Sequence, residues 1–140
     1  MRRGEVLTLC GRAGVRTTGV DFSPVAIGKA RSRAAGLPLQ FLVGDVTQLD
    51  GLKDPFDVSF DVGCFHCLDA IGQQRYASEI HRLLKPGRTH LIWALDDAPS
   101  DISLTPAVVK TIFAPGFELR EARASRRRIA RSHWYRLVRA

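Results

Sequence analysis

No apolar run in this sequence approaches the roughly 18 residues that a membrane-spanning helix needs, so no membrane partner is expected. Met1-Arg2-Arg3 is positive, but the residues after Arg3 are interrupted by charge and have no small-residue cleavage pattern, which argues against a secretory signal. Cysteine is scarce. Three in 140 residues is an odd count without framework spacing, which argues against a disulfide-stapled secreted domain and for reduced thiols in a cytoplasmic setting. Cys64 and Cys67 form a CxxC, but a structural zinc site needs four ligands, and there is no second CxxC and no HxxxH pair. No metal is expected. A redox CxxC belongs at a helix N-terminus in a thioredoxin-like setting, and the surrounding segment does not read that way.

Acidic residues are also in deficit, 14 against 21 Lys and Arg, for a net charge of +7. Much of the excess lies in the arginine-rich segment RASRRRIARSHWYRLVRA, residues 123–140. A basic tail with aromatics can bind nucleic acid. Alternation in this segment instead suggests a solvated hairpin with its charges outward, so a nucleic-acid partner is not expected. What is present is ordinary for a soluble globular protein: 45% apolar and 25% charged residues. A chain of this length is read as one domain, 1–140, able to bury a normal core.

Punctuation divides the chain clearly. VRTTGVD (15–21) is a β-branched run ending in an acid. FSPVAIGKARSRAAG reads as a helix with Ser23 as N-cap, Pro24 at its first position and Gly36 just past its end. Ala26, Ile27, Ala30 and Ala34 share one face of it. LQFLVGD (39–45) is a buried-type strand, again ending in an acid, and FDVSFDVGCF (56–65) is a third strand running into a glycine. QQRYASEIHRLL (73–84) is an amphipathic helix with Tyr76, Ile80, Leu83 and Leu84 inward, stopped by Lys85-Pro86-Gly87. THLIWAL (89–95) is a strand, Thr105-Pro106 starts a short helix, and FELREAR and HWYRLVR form an antiparallel pair. Such alternation predicts an α/β fold: a mostly parallel sheet with helices on both faces and ligands beyond the carboxyl ends of its strands.

VLTLCGRAG, residues 6–14, looks like a first strand with a cofactor-cradling loop. Adjacent parallel strands need a crossover of about a dozen residues, and Cys10–Gly14 is too short to be one. The helix reading fits better. Val6, Leu9, Cys10 and Ala13 fall on one face, and Gly14 is the left-handed stop. Residues 4–13 are therefore predicted to be the first helix, with Gly11 costing about 1 kcal/mol relative to alanine.

A strand-end carboxylate can accept hydrogen bonds from both hydroxyls of a ribose, and Asp21 is placed to do so. Asp45 on the next strand can accept from an exocyclic amine such as adenine N6, with Val46 offering a backbone N–H. Singly, such aspartates are more often turn formers or N-caps. Together, GVDFSPVAIGKAR, FLVGDVTQL, FDVSFDVGCFHCL and RYASEIHRLLKPG, in this order, resemble the class I S-adenosylmethionine-dependent methyltransferases, small-molecule type, over residues 14–139.

The resemblance implies a Rossmann-like, three-layer α/β/α sheet with an antiparallel C-terminal hairpin. It implies S-adenosylmethionine as cofactor and a small-molecule methyl acceptor as partner. Asp21 becomes the ribose-binding acid with Phe22 beside the adenine, and Asp45 and Val46 become the adenine contacts. Asp61, Gly63 and Cys64 lie under the methionine part, chiefly through backbone groups. His66, just past the strand end, is the candidate general base, although a histidine there more often packs locally. Arg88 stands where the family commonly has a second glycine. If residues 4–13 are the first helix, the family's first strand and glycine-rich loop are missing before it. The fold would then be incomplete at its N-terminus, cofactor-dependent activity would be impaired, and exposed sheet edges would invite a homo-oligomer. The alternative is a non-catalytic remnant that binds a partner chain, or binds RNA through Arg126, Arg127 and Arg128.

Overall fold

The computed structural model describes residues 3–97, 102–127 and 129–140. The chain forms two compact units, Met1–Leu49 and Asp50–Ala140. The first contains α1 (Arg3–Arg12), β1 (Thr17–Asp21), α2 (Pro24–Arg33) and β2 (Leu39–Val43). Residues 6–12 are thus helix, and Gly14 ends the turn with φ of 76°. The Val15 amide donates to the Cys10 carbonyl at 3.0 Å, closing that turn. β1 and β2 pair in parallel from Thr17↔Leu39 to Asp21↔Val43. Ile27, Ala34 and Phe41 form the core, packed by Leu7, Ala30 and Leu39.

The buried face of α1 differs from the predicted one. Leu9 is 60% exposed and Ala13 is also exposed, while Leu7 joins the core and Gly11 is buried. Size explains the difference. A Cβ on Gly11 would meet the Leu39 side chain at 2.9 Å, so the helix approaches β2 at the position where it has no side chain. Gly19 repeats this in β1, between Phe41 and Leu7, at 2.9 and 3.0 Å.

The second unit contains β3 (Phe56–Val62), a 3₁₀ turn (Phe65–Cys67), α3 (Ala70–Leu83), β4 (Leu84–Leu95), α4 (Pro106–Phe113), β5 (Phe117–Arg127) and β6 (Ala130–Arg139). Its sheet runs β3-β4-β6-β5, with β3 parallel to β4 and the other pairs antiparallel. The mixed sheet and closing hairpin agree with the predicted class. Hydrogen bonding among the described residues divides the strands into a two-stranded and a four-stranded sheet.

α3 starts at Ala70, earlier than predicted, because Asp69 caps it by accepting from the Gly72 amide at 2.7 Å. One sheet face carries His90, Ile92, Ala94, Tyr135 and Leu137, all buried. Tyr76, Phe113 and Phe117 pack around His90 through tilted ring contacts, and Phe65 packs on Tyr76 and Phe113. In the hairpin, Arg123 and Arg136 reach Glu121 at 2.9 and 3.6 Å, so part of the basic charge is met locally. Arg128 of the predicted basic cluster lies outside the described residues.

Candidate functional site

In the first unit, β1 ends at Asp21. Its Oδ1 accepts from the Ser23 amide at 2.9 Å, and Ser23 Oγ accepts from the Ala26 amide at 3.2 Å. The acid therefore shapes the entry to α2 as well as marking the strand end. Phe22 between them is 82% exposed, an apolar ring held out at the rim. The Gly44 amide donates to the Asp21 carbonyl at 3.0 Å, bringing the loop after β2 beside the loop after β1. In that second loop Asp45 is exposed, Val46 is half-buried, and Asp45 Oδ1 accepts from the Thr47 amide and hydroxyl at 2.8 and 2.6 Å. Asp21 and Asp45 thus share one rim, and each also does turn-forming work.

In the second unit the chain leaves β3 through Gly63, whose φ of 82° suits a residue without a side chain. Asp61 turns inward and is 8% exposed. Its Oδ1 accepts from the Cys64 amide at 2.8 Å, and its Oδ2 accepts from the Phe65 amide and the Tyr76 hydroxyl, both at 2.9 Å. Tyr76 Oη also lies 3.0 Å from His90 Nε2, and His90 Nδ1 lies 2.7 Å from Ser59 Oγ.

An ionised carboxylate only accepts, so the Tyr76 hydrogen points to Asp61. His90 Nε2–H then donates to Tyr76, and the Ser59 hydroxyl donates to Nδ1. Burial pushes Asp61 above the usual carboxylate range, against the pull of the amide and hydroxyl donors. Burial also pushes His90 down to about 3, so the ring is neutral. Asp61 spends its carboxylate on holding the Gly63–Phe65 turn.

His66 is buried, and its Nδ1 accepts from the Leu95 amide at 3.2 Å. Its ring meets Trp93 edge-on. A neutral imidazole that accepts at Nδ1 carries its proton on Nε2 and has no lone pair left for a substrate proton. This geometry favours local packing over base catalysis. Cys67 Sγ donates to the Gly63 carbonyl at 3.5 Å. The sequence did not mark Gln73 or His90 as buried, nor Ser59 as a partner of His90. Gln73 is 1% exposed and donates to the Leu68 carbonyl at 3.3 Å.

A family model described as a methyltransferase domain matches residues 3–87. The chain belongs to the methyltransferase-domain family. This methyltransferase chain is 33% identical over 84 residues to the phthiotriol/phenolphthiotriol dimycocerosates methyltransferase of Mycobacterium leprae. That match takes in 60% of the chain but only 30% of the relative's length. In fold it is similar to the TehB-like SAM-dependent methyltransferase of Corynebacterium glutamicum, with TM-score 0.80, 18% identity, and coverage of 98% of the chain and 75% of that structure. It is similar also to the N-methyltransferase NodS of Bradyrhizobium japonicum in complex with S-adenosyl-L-homocysteine. There the TM-score is 0.75 at 15% identity, over 98% of the chain and 85% of NodS. S-adenosylmethionine is the cofactor of this fold family.

Proposed function

We propose that this methyltransferase chain binds S-adenosylmethionine and transfers its methyl group to a small-molecule acceptor. The observation that carries the reading is the pairing of a strand-end acid, Asp21, with an exposed ring, Phe22, on the rim that also holds Asp45. A carboxylate for a ribose diol beside an apolar surface for a purine is the acceptor and contact set an adenosine requires. Among the described residues, Asp21 Oδ2 makes no hydrogen bond and is available to the ribose. Asp45 and the Val46 amide would meet the adenine. A small-molecule acceptor is in keeping with the Mycobacterium leprae relative, whose name gives a phthiotriol or phenolphthiotriol dimycocerosate as its acceptor.

When bound, S-adenosylmethionine supplies an activated methyl electrophile on a sulfonium. The protein's share is to hold the nucleophile close and in line in a dry site. His66 plays no proton-transfer part in this reading. Isothermal titration of the 140-residue chain with S-adenosylhomocysteine tests it. Saturable binding is expected, weakened about 10- to 100-fold by Asp21→Asn, as befits a lost hydrogen bond to a charged group. No heat of binding at millimolar cofactor, from protein shown to be folded, would overturn the reading.

A further inference from the structure

The turn after β3 carries two thiols that the proposed function leaves unused. Cys64 and Cys67 flank Phe65 and His66 in the 3₁₀ turn, and all four lie in the second unit. The Cys67 amide donates to the Cys64 carbonyl at 2.9 Å, and the Leu68 amide donates to the Phe65 carbonyl at 3.2 Å. Cys64 itself is helical, with φ of −93° and ψ of −52°, so the first thiol rides on the same turn as the second. A 3₁₀ helix rises about 2.0 Å per residue, and side chains three residues apart eclipse. The two Cα atoms are therefore about 6 Å apart along one side of the turn, within the roughly 4.4–6.8 Å that a disulfide spans. Cys67 Sγ reaches back along the turn to the Gly63 carbonyl at 3.5 Å, beside the residue before it, Cys64.

The turn is held in this shape by its neighbours. Asp61 accepts from the Cys64 and Phe65 amides at 2.8 and 2.9 Å. Phe65 and His66, the two residues between the cysteines, are buried. Cys67 is exposed and Cys64 is half-buried. Exposure makes Cys67 the thiol that a reagent meets first. Two thiols already held at bridging distance lose little freedom on joining, so the folded turn favours a closed bridge over two separate adducts. The third cysteine, Cys10, stands on α1 in the first unit.

We propose that Cys64 and Cys67 form a reversible redox site, closed to an intramolecular disulfide by a low-molecular-weight disulfide and reopened by a thiol. The Cys67 thiolate attacks one sulfur of the oxidant, forming a mixed disulfide and releasing one thiolate. The Cys64 thiolate then attacks the Cys67 sulfur, closing the bridge and releasing the second. The cysteines give up two electrons and two protons. The oxidant takes up both electrons, and its two departing thiolates take up the protons. This chemistry requires neither cofactor nor acceptor, and it stands apart from the methyl-transfer reading.

Glutathione disulfide is the probe. The folded 140-residue chain is equilibrated in buffers of oxidised and reduced glutathione, the remaining thiols are alkylated, and peptide mass mapping reads each cysteine. The peptide that holds Cys64 and Cys67 should lose two hydrogens, Cys10 should remain open to alkylation, and dithiothreitol should restore both thiols. In concentrated urea the equilibrium constant for closing the bridge should fall about 10-fold or more, because the unfolded segment no longer holds the turn. Cys64→Ser should stop at a glutathione adduct on Cys67, and Cys67→Ser should react about 10-fold more slowly at Cys64. Circular dichroism matching wild type shows that each variant is folded, and the wild-type comparison with urea depends on neither. A native equilibrium constant no larger than that in urea, a glutathione adduct that persists on wild-type Cys67, or a bridge to Cys10 would overturn the proposal.

Discussion

At the scale of single residues, two glycines act by being small. Gly19 lies between the Phe41 and Leu7 side chains with no room for a Cβ, so Gly19→Ala overpacks the first unit. A destabilisation of about 1–3 kcal/mol is expected from the shift of the urea midpoint. Acid stability turns on His90 and Asp61, with opposite signs. His90 sits at about 3 in the fold against an ordinary 6.5. Between those values the unfolded chain binds a proton that the folded chain refuses. His90's contribution is therefore full above the upper value and falls with pH at up to about 1.4 kcal/mol per unit. Asp61, raised above its ordinary 3.8, contributes stability at lower pH that is lost as pH rises through its folded value, and so offsets part of the acid limb. His90→Asn should flatten the decline in urea stability from about pH 6.5 to about pH 4. An unchanged slope would show that His90 does not set it.

At the scale of elements, caps and strand ends carry the most information. Ser23, Pro24, Gly14 and Thr105 all act where their chemistry predicts, because a side-chain acceptor, a fixed φ or a missing Cβ works within three residues. Asp69 belongs with them. Asp69→Ala should cost about 1 kcal/mol and speed amide exchange in the first turn of α3, which leads to Tyr76. The sequence gives less access to whatever depends on distant packing. The face of α1 is set by Gly11 fitting beneath Leu39, and no periodicity of apolar residues marks a glycine as the contact point. His90 and Gln73 are buried polar groups, His90 with partners 31 and 14 residues away and Gln73 with one 5 residues away, so their polarity reads as exposure until the fold is formed. The strand-end acids were legible as a rim. Asp61's inward turn, and the His133–Asp96 pair across 37 residues, were not.

At the scale of the molecule, stability is unevenly spread. β4 and β6 are the interior strands of the four-stranded sheet, while β1 and β2 each have one neighbour. The core of the first unit rests on Ile27, Ala34 and Phe41, a much smaller set than the one around His90 and Tyr135. Hydrogen exchange should therefore be slowest for amides of 89–95 and 132–138, and markedly faster for 17–21 and 39–43. Equal protection in both sets would contradict this distribution. The position of β6 has a further consequence for how the protein is made. The strand that fills the middle of this sheet is synthesised after its sheet-mates β3, β4 and β5, and its partner Thr89 waits for Val138. Until β6 leaves the ribosome, β4 presents an unpaired apolar edge and β5 has no neighbour. The second unit should thus complete its fold late, with its stickiest strand exposed during synthesis, when binding by a chaperone would do most to raise the yield of folded protein.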